Sequence, residues 1–341
     1  MSPGRRGGRG GRAHESYDEN DARVRPGRGT RPRSKIRPAH RHAEPALVIA
    51  VDRGRLTCVM DEDERTVVAV RARELGRKGV VVGDRVGLVG DTSGSEGTLA
   101  RIVRVEKRTT ALRRTADDDD PVERVIVANA DLLVIVTSVA DPPPRARLID
   151  RCLVAAFDAG MEPVLCVTKT DLGDPSALLA SYAPLGVRTL ECGHTVDSGP
   201  LRERLAGRMS VFVGHSGVGK STLVNELVPG AGRATGEVNV VTGRGRHTSA
   251  NAVALRLPEG GWVIDTPGIR SFGLAHVDPD HLIHAFPDLD IETAACPRGC
   301  THAADQPECA LDEAVAAGRL DPARVDSFRR LLASRVRQAG D

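Results

Sequence analysis

The chain has 341 residues, 40% of them hydrophobic, which is enough for two or three domains with a sizeable core. Its formal net charge of +2 conceals an asymmetry: residues 1–43 carry 12 Arg/Lys against 4 Asp/Glu, whereas residues 44–341 carry 36 against 42. No apolar run approaches the roughly 20 residues that a membrane helix needs, and no apolar segment follows the arginine- and glycine-rich start, so membrane and secreted classes are set aside and a cytoplasmic location is expected.

Residues 1–43 are poor in core-forming side chains and rich in Gly, Pro and Arg, the composition of a disordered basic tail. A flexible cationic arm is drawn to nucleic-acid phosphates by counterion release; the plainer reading is a solubilising leader. From 46 to 105, short β-rich runs at 46–51, 56–60, 66–70, 80–88 and 98–105 alternate with turn residues. This predicts an OB-like β-barrel over 44–110. The segment has no Phe, Trp or Tyr, so any RNA contact it makes is expected to run through phosphates and shape rather than base stacking. A barrel that only packs on its neighbour is the alternative. The polar stretch around Asp117-Asp118-Asp119-Asp120-Pro121 reads as a solvated linker.

From Asp131 the pattern becomes one of alternating strands and helices, as expected of a doubly wound α/β domain over 111–285. The run 132–136 reads as a buried parallel strand, and Leu148, Ile149, Cys152, Leu153 and Ala156 recur at helical spacing before Gly160 ends the helix. Strands are expected at 164–167, 187–190, 210–213 and 262–264, and helices near 177–182, 201–205 and 221–227.

Thr168-Lys169-Thr170-Asp171 follows the strand at 164–167. Guanine presents two adjacent donors that the two carboxylate oxygens of Asp171 can accept, and adenine lacks that pair. Lys169 would pack its stem across the base, and the Thr168 hydroxyl would brace the loops. Cys192, with Gly193, lies after the next strand and is placed beside the guanine carbonyl. The phosphate loop then appears in full as Gly214-His215-Ser216-Gly217-Val218-Gly219-Lys220-Ser221, between an apolar strand and a helix. Its backbone N–H groups would wrap the β-phosphate, Lys220 would neutralise the β/γ oxygens, and the Ser221 hydroxyl would ligate magnesium, with Thr222 next to it at the nucleotide.

Gly243-Arg244-Gly245-Arg246-His247-Thr248-Ser249 is a glycine-rich charged loop placed as the first switch. Thr248 is the better magnesium candidate there, Ser249 the alternate, and His247 is a candidate for orienting the attacking water. Asp265-Thr266-Pro267-Gly268 follows a strand: Asp265 can hold magnesium through water and the Gly268 N–H can reach the γ-phosphate. Position 269 is Ile, where many GTPases carry the Gln that positions water, so another group must do so. Finally, Cys296, Cys300, His302 and Cys309 form a Cys₃His set fitted to one closed tetrahedral structural zinc ion in a helical module over 286–341. Cys58, Cys152 and Cys166 read as ordinary small apolar residues.

The motifs are those of a GTPase in rotated order, with the base-reading tetrapeptide ahead of the phosphate loop. Together with the barrel before them and the Cys₃His set behind, the chain resembles the circularly permuted small ribosomal subunit biogenesis GTPases, the RsgA family, over about residues 45–335. Gly245-Arg246-His247-Thr248, Ile269 and Val127-Ala128-Asn129-Ala130-Asp131 add to the match. The resemblance implies GTP hydrolysis stimulated by the small subunit, late maturation of that subunit with its rRNA as partner, release on hydrolysis, zinc, and a water-positioning role for His247. A monomer is expected. The zinc ligands here are spaced by three, one and six residues where the familiar pattern is four, one and five, and Thr168 stands where Asn is usual. Alternatives are a large-subunit permuted GTPase, which the flanking modules disfavour; a nucleotide-gated RNA-binding module with little hydrolysis, consistent with Ile269; and a metabolic P-loop kinase, disfavoured by the two further motifs. The rotated order also routes the second switch covalently toward the zinc module while the other end joins the barrel.

Overall fold

The structure, a computed structural model, describes residues 40–75, 79–114, 124–193, 196–230, 252–266, 274, 277 and 279–335. Residues 1–39 of the basic tail, the Asp117–Asp120 run and the loop containing His247 and Thr248 lie outside the described residues.

Five strands form the first element of the fold: β1 (Glu44–Asp52), β2 (Arg55–Met60), β3 (Thr66–Arg71), β4 (Arg85–Gly90) and β5 (Ala100–Val105). β1, β2 and β3 run as an antiparallel meander, β5 joins β3 in parallel, and β4 pairs with both β5 and β1. The sheet therefore closes on itself, as the five β-rich runs predict. Alternation supplies the reason: Ala46, Val48, Leu56, Cys58, Met60, Val67, Ala69, Val86, Leu88, Ala100 and Ile102 point inward and bury one another. Burial pushes the Cys58 thiol up to about 12, so it acts as a small apolar residue. The outward side chains Leu47 and Ile49 of β1 join a second core. The fourth strand starts at Arg85 rather than 80, because Asp84 turns the chain: its carboxylate accepts from the Val81 N–H at 2.8 Å and from Arg108 Nε at 2.7 Å.

A hairpin of β6 (Ala111–Arg114) and β7 (Arg124–Ala128) follows, where sequence reading gives only a linker. Its pairing spans an acidic run, and only Leu112, Val127 and Ala128 are buried, so it carries no run long enough to announce a strand.

The remaining strands are β8 (Leu132–Ser138), β9 (Glu162–Thr168), β10 (Arg188–Glu191), β11 (Met209–Val213), β12 (Val253–Arg256) and β13 (Trp262–Asp265). Between and after them lie α1 (Ala146–Asp158), α2 (Ser176–Tyr182), α3 (Gly199–Leu205), α4 (Lys220–Leu227), α5 (Pro279–Ile283), α6 (Pro287–Thr293), α7 (Ala310–Ala316) and α8 (Pro322–Ser334). The sheet order is β10-β9-β8-β11-β13-β12, parallel except for β12, and it continues into β1 of the barrel through the pair Ala50↔Val253. All seven residues of β8 are buried, as a central parallel strand covered on both faces requires. α3 and α4 cover one face with Leu201, Leu205, Leu223, Val224 and Leu227. α1 and the C-terminal helices cover the other, through Ile149, Leu153, Phe286, Leu311, Phe328 and Leu331.

α8 owes its start to Asp321, whose carboxylate caps the Ala323 N–H at 2.9 Å, with Pro322 at the first helical position. It docks on α1: Arg151 Nη1 donates to the Ser334 carbonyl at 2.9 Å, Arg330 reaches Asp150 at 3.3 Å, and Phe157, Phe286 and Phe328 stack edge to face with centroids 5.0 and 5.3 Å apart. The C-terminal helices thus share the core of the α/β sheet.

Candidate functional site

The C-terminal ends of β8, β9, β11 and β13 meet at one edge of the parallel sheet, the edge at which α/β folds bind ligands. β11 leaves the sheet at Gly214, where a Cβ would sit 2.4 Å from the Val136 carbonyl, so no other residue lets the backbone turn there. At Gly219 the backbone is left-handed, with φ of 87°, and α4 begins at the next residue. Val218 is buried beneath the loop, Ser216 and Gly217 are exposed, and Ser221 and Thr222 sit half-buried in the first turn. His215 is buried with Nδ1 3.0 Å from the Ser216 carbonyl. Lys220 Nζ forms an ion pair with Asp265 Oδ1, both side chains largely enclosed. Asp265 ends β13, and the adjacent Thr266 hydroxyl donates to the Phe212 carbonyl at 2.9 Å, which fixes the end of β13 against β11. Gly268, with Pro267, lies outside the described residues.

The base-reading tetrapeptide is attached directly to this loop. Thr168 is buried, and its hydroxyl lies 2.6 Å from the Val218 carbonyl and 3.2 Å from that of Thr137. Thr168 therefore braces the two loops with one hydroxyl. Lys169 adopts φ of 55°, and its ammonium donates to the Asp141 carbonyl in the loop after β8. A single 3₁₀ turn, Thr170–Leu172, then presents Asp171 to solvent. Cys192 is placed by its N–H, which donates to the Val167 carbonyl at 2.8 Å. Its thiol is buried in the core beside Cys166, whose own thiol is held far above the ordinary range by hydrogen bonding to Cys192 and by burial. Only the main chain of Cys192 and Gly193 is left to face a base. The Asp141 carbonyl is a participant that sequence reading does not supply, since a backbone acceptor leaves no residue-type signal.

Behind the sheet the four soft donors converge. Cys296, Cys300, His302 and Cys309 place their ligand atoms within 4.8 Å of one another. His302 Nδ1 lies 3.6, 3.5 and 3.8 Å from the sulfurs of Cys296, Cys300 and Cys309. The S···N edge of a tetrahedral Cys₃His zinc site is about 3.5 Å, given Zn–S and Zn–N bonds of about 2.3 and 2.0 Å, so this donor set fits such an ion. Burial raises the Cys296 thiol to about 11, a penalty on its thiolate that a divalent cation offsets. The shell around the set is also built. The Ala310 N–H at the start of α7 donates to Cys296 Sγ at 3.3 Å, and Arg329 on α8 donates to the His302 carbonyl at 3.1 Å while clamping Asp312 at 2.7 and 2.8 Å.

A phosphate loop after a central parallel strand, a guanine-type tetrapeptide hydrogen-bonded to it, and an aspartate at the end of the adjacent strand define a P-loop GTPase whose motifs occur in circularly permuted order. A model of the RsgA GTPase family matches residues 105–275. Small ribosomal subunit biogenesis GTPases RsgA of Pseudomonas aeruginosa and Pseudomonas putida are each 40% identical to the chain; the first covers 71% of this chain and 73% of the relative, the second 75% of each. The crystal structure of YjeQ from Thermotoga maritima superposes with a TM-score of 0.60 at 25% identity, covering 86% of this chain and 98% of that one. YloQ, solved as a circularly permuted GTPase, gives a TM-score of 0.63 at 21% identity, over 88% and 98%. The chain belongs to the RsgA GTPase family.

Proposed function

We propose that this protein binds the small ribosomal subunit through its rRNA, hydrolyses GTP to GDP and phosphate during late maturation of that subunit, and is released by the hydrolysis. The observation that carries the reading is the 2.6 Å bond from Thr168 to the Val218 carbonyl, which joins the base-reading and phosphate loops into one site of nucleotide length. The relatives' shared description supplies the ribosomal partner.

In this reading Asp171 accepts from the guanine ring N–H and amine, and Lys169 covers the base. The Cys192–Gly193 backbone borders its carbonyl. Gly214 to Thr222 wrap the phosphates, and Lys220 exchanges its Asp265 partner for β/γ oxygens. Magnesium, held by Ser221 and Thr248 and through water by Asp265, would neutralise charge developing on the phosphoryl oxygens. The Gly268 N–H senses the γ-phosphate, and His247 orients the attacking water in place of the Gln that Ile269 displaces. Cys296, Cys300, His302 and Cys309 hold zinc, which is structural because four protein donors leave no open position. The domains assigned are a basic tail over 1–43, the barrel over 44–110, the GTPase unit over 111–285 and the zinc-binding helices over 286–341, in a cytoplasmic monomer. Loss of the γ-phosphate moves the helical module relative to the barrel and breaks a two-sided grip on rRNA. Among the described residues no helix is long and apolar enough to cross a membrane.

Ile269 favours a second reading, a nucleotide-gated RNA-binding module that barely turns over. GTP turnover with and without isolated small subunits separates the two: stimulation supports the enzyme, and its absence sinks the primary reading. Co-sedimentation with separated subunits in GTP and GDP tests the partner and the release step.

A further inference from the structure

The N-terminal edge of the parallel strands, opposite the phosphate loop, carries a cavity of about 250 Å³ at the seam between the barrel and the α/β sheet. Arg85 of the barrel lines it together with Arg208, Arg256 and Trp262 from the segment entering β11 and from the β12–β13 hairpin; Asn129 and Asp131, ahead of β8, also line it, and the Asp131 carboxylate accepts from the Met209 N–H at 2.8 Å. Trp262 is the only tryptophan of the chain, in a protein with just 2% aromatic residues. The remaining described rings are committed elsewhere: Tyr182, Phe212, Phe286 and Phe328 are fully buried, and Phe157 stacks on Phe286. Trp262 is half-buried and lines the cavity, with the Arg256 guanidinium 5.2 Å from its ring centroid. Each of the three arginines spends one nitrogen on a carboxylate outside the lining, Arg85 on Asp61 at 2.7 Å, Arg208 on Glu162 at 3.0 Å and Arg256 on Glu64. A guanidinium carries five N–H donors, so all three keep donors to spare.

We propose that this cavity is a nucleotide subsite for single-stranded RNA, in which one unpaired base packs against Trp262 and Arg256 while Arg85 and Arg208 hold its flanking phosphates. The Arg256 guanidinium lies over the ring of Trp262, and a guanidinium plane stacked on an aromatic ring turns its outer face to an unstacked base. The volume lies just below the roughly 300–1,000 Å³ of drug-sized ligand pockets, a size for one base with its phosphates at the open rim. The subsite gives the protein the stacking surface that its ring-free barrel lacks. The inference rests on the reading of an RNA partner, and it names where one unpaired residue of that RNA is held.

Because Trp262 is the sole tryptophan, its emission reports the cavity directly. Titrating full-length protein with a uridine hexaribonucleotide is expected to change that emission saturably. Arg208→Gln should weaken the response about tenfold, the loss expected of one charge-assisted contact, and make its salt dependence shallower by about 0.7 in the log–log slope. Glu162 keeps Arg204 as a partner in that variant, so the fold is retained; Arg85→Gln should act alike. Inorganic tripolyphosphate should compete without matching the emission change. No response to the oligonucleotide, a response untouched by both variants, or an equal response to polyglutamate would each overturn the subsite. Subunit-stimulated GTP turnover measured alongside distinguishes the two levels: turnover with a silent Trp262 refutes the cavity alone, and a responsive Trp262 without stimulation refutes the ribosomal reading alone.

Discussion

Replacing Thr168 by Val tests the junction that makes one site out of two loops. The two side chains have the same shape, so packing at the end of β9 is retained and only the hydroxyl is lost. That hydroxyl is buried and donates at 2.6 Å to the Val218 carbonyl, with the Thr137 carbonyl at 3.2 Å. Removing one partner of a buried hydrogen bond costs about 1–3 kcal/mol. In the nucleotide-free protein the tether holds the base-reading and phosphate loops in register; without it, binding must supply that ordering. If about 1.4 kcal/mol of the loss is borne by binding, affinity falls about tenfold. The fall should be equal for GTP and GDP, because the contact lies on the base side of the phosphates. Titration with a fluorescent guanine nucleotide, beside urea unfolding, separates the two effects, and Thr168→Ser, which keeps the hydroxyl, should stay within about twofold of wild type. A Val variant that is destabilised as expected yet binds both nucleotides normally would refute the reasoning and reduce Thr168 to a satisfied core group.

Asp171→Asn should shift preference from guanine toward xanthine nucleotides, since an amide can donate to the carbonyl that replaces the exocyclic amine; competition assays with unchanged guanine preference would show the base contact to be misassigned. His247→Ala is expected to lower subunit-stimulated turnover while sparing GTP affinity, and full activity would move the water-positioning role elsewhere. Cys300→Ser should abolish bound zinc in metal analysis and raise hydrogen exchange in α7 and in the 296–309 loop, with the amides of β8 still protected; unchanged exchange would show that the Arg329 clamp suffices without an ion. Asp288 and Asp312 have carboxyls held below their ordinary range by hydrogen bonds from Arg324 and Arg329. Both pairs therefore stabilise fully above the unfolded carboxylate range, and that stabilisation is lost as pH falls through the lowered values. Exchange in α6 to α8 should rise with acidification, and removing the Asp312 partner with Arg329→Gln should flatten that dependence.

The sequence made the site legible wherever chemistry forces residue type. The phosphate loop needs glycine at Gly214 and Gly219 for steric reasons, and four soft ligands within fourteen residues have few other uses. The barrel was legible because five short β-rich runs are separated by turn residues, with one inward-facing set in each. What escaped depends on long-range pairing. β6 and β7 have their partners across an acidic run, and β12 is a four-residue strand whose place comes from β13 and from a single pair with β1. The Asp141 carbonyl that holds Lys169 and the inward turn of the Cys192 thiol are backbone facts, which no side-chain pattern encodes. The docking of α8 on α1 joins residues as far apart as Arg151 and Ser334, and it places the C-terminal helices in the core of the sheet.

Strand order shows what the permutation does. Among the strands of the GTPase sheet, β8, β9 and β10, which carry the base-reading side, come first; the segment 206–208 then leads from α3 into β11; β12 and β13 come last. In the unpermuted order a connection would run from β13 back to β8, and anything appended to the chain would follow α3, whose end lies at the starts of β11 and β13, the edge opposite the nucleotide. Here the chain past Asp265 is instead free to lead to α5 and the Cys₃His module, while β12 is the strand that touches the barrel, through Ala50↔Val253 and the Arg256–Glu64 ion pair. The Cys₃His module is therefore attached on the γ-phosphate side, whereas the barrel lies along β12 from Val253, opposite Asp265, to Arg256, opposite Trp262 at the other end of the strand pair. The barrel junction is a buried one as well: Leu47, Ile49, Val59 and Val82 share the core that fastens α8 to α1, beside the ladder pair and the exposed ion pair. A displacement of β12 or of the chain after β13 therefore reaches the barrel and the helices through one shared core, which is the coupling a nucleotide-dependent change in grip requires.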